Sequence, residues 1–160
     1  MPKILLLNLP NKTPIIRRYQ CSFNSHNFLF PPLELLYIAG SLKKNGFNNY
    51  KLIDCIAEKI KLEKLFNLIK EEEPNFIITL VGFENFGGDI DKLKKLKTKF
   101  SNIKFILFGY YPSLFYKEII EYADIDYITA GEPEYRIINI LKNENNEYND
   151  GVLSKYNIPA

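Results

Sequence analysis

The chain contains 160 residues, carries a formal net charge of +2 and is 46% hydrophobic. This length fits one domain with a hydrophobic core, and the nearly balanced charge gives no electrostatic reason to expect nucleic acid or an anionic membrane as a partner. We expect no signal peptide and no membrane span, and we expect the two cysteines, Cys21 and Cys55, to be free thiols in a reducing cytoplasm.

In the first third of the chain, the sequence pattern predicts a strand at about 3–9 and a long loop at 10–31. A helix at about 32–45 and a second strand at 50–55 follow. Two prolines precede the helix and Gly46 follows it, as is common at helix ends. The helix is apolar on nearly every side, so we expect it to be the most buried helix. The long loop holds the single histidine, His26. A lone histidine in a loop is usually solvated, and we expect that here.

Strands and helices continue to alternate through the rest of the chain. Apolar runs predict strands at about 75–82, 103–108 and 125–130, and further patterns predict helices at about 60–73, 88–100, 114–122 and 134–142. This alternation predicts an α/β fold, with a flavodoxin-like, doubly wound, five-stranded parallel sheet in the order 2-1-3-4-5 and helices on both faces. We assign residues 1–142 to this domain and 143–160 to a linker or to the start of a further domain.

Ligands of such sheets bind beyond the carboxyl ends of the strands, so the loops at that edge are the candidate sites. The turn after the first strand lacks the glycine-rich loop of dinucleotide-binding proteins. The sequence also lacks the ligand spacing of a zinc site and the cysteine triplet of an iron–sulfur cluster. Asp54 ends the second strand, and we favour ligand contact or backbone hydrogen bonding for it over phosphorylation. Phosphorylation would need an acidic pair after the first strand to hold Mg²⁺.

Two later loops carry residues suited to the same edge. Gly109 follows the fourth strand and is succeeded by Tyr110 and Tyr111, whose rings could stack on a planar ligand or cover the sheet edge. Gly131 follows the fifth strand, and Glu132 comes just before a helix start. Glycine permits a tight turn and a carboxylate suits the positive end of a helix, so this loop fits a structural role as well as ligand contact.

The ordered set of these motifs resembles the N-terminal cobalamin-binding domain of radical SAM enzymes over about residues 3–142. Each stretch alone is weak, and their order is the specific part. The resemblance implies a flavodoxin-like sheet that holds cobalamin beyond the strand ends, with the nucleotide tail of the cofactor inserted beside the sheet. The stretches are the helix from Pro31-Pro32 to Gly46 with Leu52-Ile53-Asp54, then Ile106-Leu107-Phe108-Gly109-x-x-Pro112-Ser113, and then Asp126-Tyr127-Ile128-x-x-Gly131-Glu132-x-Glu134.

The resemblance also implies that catalysis takes place in a separate domain. A catalytic radical SAM domain, in the same protein or in a partner, would hold an iron–sulfur cluster and S-adenosylmethionine, and many such enzymes are methyltransferases. We assign no catalytic and no metal-binding residue to this chain. Four positions depart from the residues usual in the family, namely Leu80, Phe83, Phe108 and Tyr111. The implied cobalamin contacts, mostly through backbone atoms and stacking, are Asp54, Gly82, Phe83, Gly109, Tyr110, Tyr111, Gly131 and Glu132.

The sequence leaves three functions open. The first is a cobalamin-binding-type domain of a radical SAM enzyme, probed by titration with hydroxocobalamin. The second is a scaffold or interaction domain that has lost the cofactor and packs against a catalytic partner domain, which the four departures favour. The third and weakest is an independent flavin- or nucleotide-binding protein of flavodoxin-like fold.

Overall fold

A computed structural model describes residues 1–24, 28–142 and 151–156. His26 and the polar stretch 143–150 lie outside the described residues. The strands are β1 (Ile4–Asn8), β2 (Ile15–Arg17), β3 (Ser22–Asn24), β4 (Tyr50–Asp54), β5 (Phe76–Leu80), β6 (Lys104–Phe108), β7 (Tyr127–Thr129) and β8 (Val152–Ser154). The helices are α1 (Leu33–Lys44), α2 (Leu62–Glu72), α3 (Phe86–Lys99), α4 (Tyr110–Leu114), α5 (Tyr116–Ala123) and α6 (Pro133–Lys142).

The main sheet has six strands in the order β4-β1-β5-β6-β7-β8. Its first five strands run parallel, and β8 pairs antiparallel with β7 at the edge. The predicted α/β fold with a parallel sheet is thus confirmed in its main part. The predicted strand count and full order are wrong, because β8 extends the five strands, which among themselves follow 2-1-3-4-5. The segment 143–160 therefore contributes a strand to the sheet, and the domain division otherwise stays a prediction.

Helices cover both faces of the sheet, as the sequence predicts. The central strands β1, β5 and β6 are buried on both faces, apart from a half-buried Lys104 at the start of β6. One core lies between the sheet and α2, α3 and α5, and it includes Leu7 and Leu93. The other lies under α1 and α6 and includes Ile38, Phe108 and Ile137. This coverage explains why the strands read as continuous apolar runs rather than as alternating ones.

Helix α1 is not the most buried helix, contrary to the prediction. It buries Leu35, Ile38 and Leu42 against the sheet and α6, while Leu36 and Tyr37 are exposed. Helix α6 buries five residues over a shorter length. An apolar residue on a helix is buried only where a neighbouring element covers it, and among the described residues the sheet and α6 cover only one side of α1. A second difference concerns the predicted helix at 114–122, which corresponds to α5, while the short helix α4 before it was not predicted.

The long loop after β1 contains an antiparallel hairpin, β2 and β3, which forms its own two-stranded sheet. We call residues 15–24 the strap. Both strands have only three residues, so the hairpin depends on the contacts that it makes with the main sheet. No helix among the described residues is long and apolar enough to cross a membrane.

Candidate functional site at the carboxyl edge of the sheet

The strap is fixed to the carboxyl edge of the sheet by a buried arginine. Arg17 Nε and Nη2 donate to the two carboxylate oxygens of Asp89 in α3, at 2.8 and 2.9 Å. Its Nη1 donates to the side-chain oxygen of Asn8 at 2.9 Å and to the carbonyl of Leu9 at 3.0 Å. The Arg17 and Asp89 side chains are 3% and 1% exposed. A buried charged pair is retained only when such hydrogen bonds satisfy it, so this contact determines the position of the strap.

Tyr19 and Ser22 extend the strap across three further strand ends. The Tyr19 carbonyl accepts the Tyr110 N–H after β6 at 2.9 Å, and the Tyr19 hydroxyl accepts the Gly131 N–H after β7 at 2.9 Å. The Ser22 hydroxyl accepts the Glu84 N–H after β5 at 2.5 Å. With Arg17 at the end of β1, the strap therefore contacts the ends of four neighbouring parallel strands.

Little space is left beneath the strap. The strand order reverses between β1 and β5, and the cavity at that point, bounded by Asn8, Arg17, Leu35 and Leu80 among others, has a volume of ≈ 10 Å³. This is room for about one water molecule. A binding pocket for an organic cofactor has a volume of roughly 300–1,000 Å³.

The two glycines predicted to offer a cofactor close approach are in contact with the protein itself. A Cβ added to Gly82 would lie 2.8 Å from the Cβ of Ser22 in the strap. Gly109 has φ +132°, and an added Cβ would collide with the carbonyl oxygen of Val81. Phe108 is fully buried, and Leu80 is 4% exposed. An inserted cofactor tail does not fit between these groups.

Three of the predicted contact residues do come together, in an exposed aromatic surface. Phe83 and Tyr111 stack with ring centroids 4.8 Å apart, and Tyr110 meets Tyr111 edge-on at 5.7 Å. Phe86 joins Tyr111 at 6.2 Å and Phe115 at 5.8 Å. We call these five residues the aromatic patch. Phe83, Tyr110 and Phe115 are 55%, 45% and 44% exposed, which is high for large apolar side chains that lie side by side.

The remaining predicted residues lie away from this patch. Asp54 ends β4, three strands from β6, or about 14 Å at the usual strand spacing. Its Oδ1 accepts the N–H groups of Ile56 and Ala57 at 3.0 and 3.2 Å, and the Asn8 side-chain amide at 2.8 Å. The backbone-bonding interpretation of Asp54 therefore matches the structure. Gly131 donates to Tyr19, and the Glu132 side chain is exposed.

Sequence reasoning missed the residues that build the strap. Arg17 lies in the long loop after β1 and Asp89 lies in the helix predicted at about 88–100, and no local pattern marks either as a site residue. The run Pro14-Ile15-Ile16 is typical of a short strand and could have indicated the hairpin. No local pattern pairs Arg17 with Asp89, which is 72 residues away.

Cys55, which directly follows β4, leads to a prediction of how the free energy of unfolding depends on pH. Burial, with smaller contributions from the Asp54 and Glu58 carboxylates, raises the pKa of the Cys55 thiol to about 12. The unfolded thiol ionises near 8.5. The contribution of Cys55 to the free energy of unfolding is thus fully present below about pH 8.5 and is lost as the pH rises towards the folded pKa.

We expect the stability difference between the wild type and Cys55→Ala to narrow as the pH rises above about 8.5, as measured by urea unfolding. At about pH 8, iodoacetamide should modify exposed Cys21 and leave buried Cys55 unmodified, as peptide mass spectrometry would report. Equal labelling of both cysteines in the folded protein would contradict the expectation.

Comparison with known proteins gives the same fold. No family model matches the chain. Among curated proteins, the chain is similar to the anaerobic magnesium-protoporphyrin IX monomethyl ester cyclase of Cereibacter sphaeroides, with 28% identity over 114 residues. The aligned part is 71% of this chain and 19% of that protein, so the chain spans about a fifth of the curated relative that it matches.

Two groups of solved structures match almost the whole chain. The cobalamin-dependent S-adenosylmethionine radical enzyme OxsB, with aqua-cobalamin and S-adenosylmethionine bound, superposes with a TM-score of 0.72 and 20% identity, over 95% of this chain and 20% of that one. The radical S-adenosylmethionine methyltransferase TsrM from Kitasatospora setae gives a TM-score of 0.67 and 16% identity, over 96% of this chain and 28% of that one. The resemblance of this chain to cobalamin-dependent radical SAM enzymes is thereby confirmed at the level of the fold.

Proposed function

We propose that this chain is the cobalamin-binding-type domain of a radical SAM enzyme, serving a methyl transfer or a related radical reaction. The match of its whole fold to a fraction of such enzymes supports this proposal. In it, the catalytic domain lies outside this sequence and holds the iron–sulfur cluster and S-adenosylmethionine. Among the described residues, no group of three or more His, Cys, Asp or Glu side chains is placed to hold a metal ion.

The aromatic patch supports a role for this chain as a partner of that catalytic domain. The patch lies at the carboxyl edge, where this fold presents its functional surface. Apolar aromatic side chains that are exposed together stabilise an interface when a partner covers them. We assign the catalytic domain as that partner, because the solved relatives carry this fold within chains about three to five times as long.

Cobalamin binding by this chain is the second candidate. It is favoured by one observation, the assembly of Phe83, Tyr110 and Tyr111 into one surface on which a flat macrocycle could stack. The ≈ 10 Å³ cavity and the buried Phe108 argue against an inserted nucleotide tail. Of the two candidates, the geometry therefore favours a domain that packs against its catalytic partner without holding the cofactor. The same small cavity volume argues against a flavin or a nucleotide bound in this crevice.

The test uses the intact protein or the complex with its catalytic partner, purified without oxygen. The proposed function predicts that this protein contains a [4Fe–4S] cluster, which electron paramagnetic resonance would detect after reduction. It also predicts that the protein cleaves S-adenosylmethionine reductively or transfers the methyl group of S-adenosylmethionine. The double variant Phe83→Ser/Tyr110→Ser should lower turnover and interdomain affinity by roughly tenfold or more, because the apolar contact with the catalytic domain is lost.

The matched control is Tyr135→Ser, which removes an aromatic side chain that is 64% exposed on α6 and is not one of the five residues of the patch. It should leave both turnover and affinity within about twofold. Equal effects of the patch variant and the control on turnover and affinity would contradict the docking role of the patch. Absence of the cluster from the intact protein would contradict the radical SAM assignment itself.

A further inference from the structure

The strap stands where ligands of this fold bind. In an open parallel sheet, a ligand lies beyond the carboxyl ends of the strands, at the point where the strand order reverses. Here that point lies between β1 and β5. The Arg17 guanidinium contacts the end of β1, and the Ser22 hydroxyl contacts the loop after β5. The strap thus covers the crevice from both of its sides.

The strap also takes up the hydrogen-bond donors of this edge. The backbone N–H groups that follow parallel strands are the donors that ligands of such sheets commonly use. Three of them, at Glu84, Tyr110 and Gly131, donate to strap oxygens at 2.5, 2.9 and 2.9 Å. The acceptors are the Ser22 hydroxyl and the carbonyl and hydroxyl oxygens of Tyr19. A ligand would have to break these bonds before it made its own.

The strap is anchored on both sides of the crevice. The Arg17–Asp89 pair attaches it to α3, and both side chains are almost fully buried. Arg18 Nε and the Tyr19 N–H donate to Glu34 Oε1 in α1, at 2.6 and 3.2 Å. Helices α1 and α3 lie on opposite faces of the sheet. The strap therefore bridges the two helical layers over the edge that separates them.

We infer that the strap, residues 15–24, is an intramolecular plug of the crevice between β1 and β5, so that this crevice is closed in the folded domain and takes no inserted cofactor. This inference concerns contacts within the chain, and it holds whether or not the proposed catalytic partner exists. It also gives glycine at position 82 a reason within the chain itself. Gly82 makes room for Ser22 of the strap, where an added Cβ would lie 2.8 Å from the Ser22 Cβ.

The first test measures ligand binding and strap order on the same wild-type chain. Hydroxocobalamin and flavin mononucleotide are titrated while the visible spectrum is followed, and each mixture is run on gel filtration. Amide hydrogen exchange of residues 15–24 is measured by mass spectrometry. We expect no spectral change, no co-elution, and strap amides that exchange much more slowly than those of an unstructured loop.

The second test opens the plug at one contact. Gly82→Ala puts a methyl group against Ser22, so exchange of the strap amides should rise roughly tenfold or more, while exchange in β1 and β5 stays slow. The double variant Ser22→Gly/Gly82→Ala removes the clashing side chain, together with its hydrogen bond to Glu84, and should recover part of the wild-type protection. Gly87→Ala is the matched control, since an added Cβ there meets nothing within 4 Å, and it should exchange like the wild type.

Each outcome decides the inference. It is overturned by saturable one-to-one binding of either probe to the wild type, and equally by strap amides that exchange as fast as free peptide. It is also overturned if Gly82→Ala leaves strap protection unchanged. The proposed function is judged by the cluster and by S-adenosylmethionine cleavage in the intact protein, so either idea can fail while the other stands.

Discussion

Asp126→Ala should destabilise this protein by about 3–5 kcal/mol, because it leaves a buried ammonium without its counter-ion. Asp126 Oδ2 accepts Lys97 Nζ at 2.6 Å and the Phe105 N–H at 2.9 Å, and the Lys97 and Asp126 side chains are 4% and 3% exposed. Its Oδ1 contacts Lys155 Nζ at 3.0 Å, next to β8. The variant therefore removes the acceptor that joins α3, β6 and the edge strand.

Urea unfolding followed by circular dichroism measures this loss. The matched control is Glu72→Ala, which also removes a carboxylate paired with two lysines, Lys3 and Lys51. That cluster lies at the surface, where water and salt weaken ion pairs, so its loss should cost much less stability than Asp126→Ala. The double variant Lys97→Met/Asp126→Asn keeps an acceptor for the Phe105 N–H without the buried charges, and it should recover part of the stability. Equal losses of unfolding free energy in Asp126→Ala and Glu72→Ala would show that burial of the carboxylate does not determine how much stability is lost.

Asp89→Ala should release the strap. The change leaves the buried guanidinium of Arg17 with two neutral acceptors, Asn8 and the Leu9 carbonyl, and no carboxylate. Removing one partner of a buried pair costs about 3–5 kcal/mol, and here the chain avoids that cost if the strap moves into solvent. We therefore expect rapid amide exchange over residues 15–24 and a lower melting temperature, with the six-stranded sheet retained.

The compensated double variant separates charge from packing. Arg17→Met/Asp89→Leu replaces the ion pair with apolar side chains of similar length, which is often neutral or stabilising in a buried site. It should keep the strap docked and its amides protected. Hydrogen exchange by mass spectrometry compares the single variant, the double variant and the wild type. A strap that stays as protected in Asp89→Ala as in the wild type would show that Arg17 is not its anchor.

The candidate site illustrates what local sequence signals indicate. The sequence predicts that Gly82, Phe83, Gly109 and Tyr110 lie at one edge, because the carboxyl ends of parallel strands share one edge, and in the structure they follow β5 and β6 there. Their partners were not predicted, since Gly82 faces Ser22 in a loop 60 residues earlier and Tyr110 donates to Tyr19. Hydrogen bonds and contacts between distant residues leave no periodic trace in the chain.

The lack of local sequence signals for contacts between distant residues also explains the errors in the predicted fold. Helix α1 is apolar on nearly every side, yet Leu36 and Tyr37 are exposed because no element among the described residues covers that side. Strand β8 has three residues in a polar context, and its conformation depends on pairing with β7. Such short strands are stabilised by their neighbours rather than by their own composition.

By itself, the sequence determined the α/β class and the alternation of strands and helices. These follow from apolar periodicity, which is a local property of a chain. Only the tertiary structure decided what lies at the carboxyl edge. There, the cost of burying Arg17 without a carboxylate couples the strap to Asp89, and the strap meets the strand ends that the sequence had assigned to a cofactor.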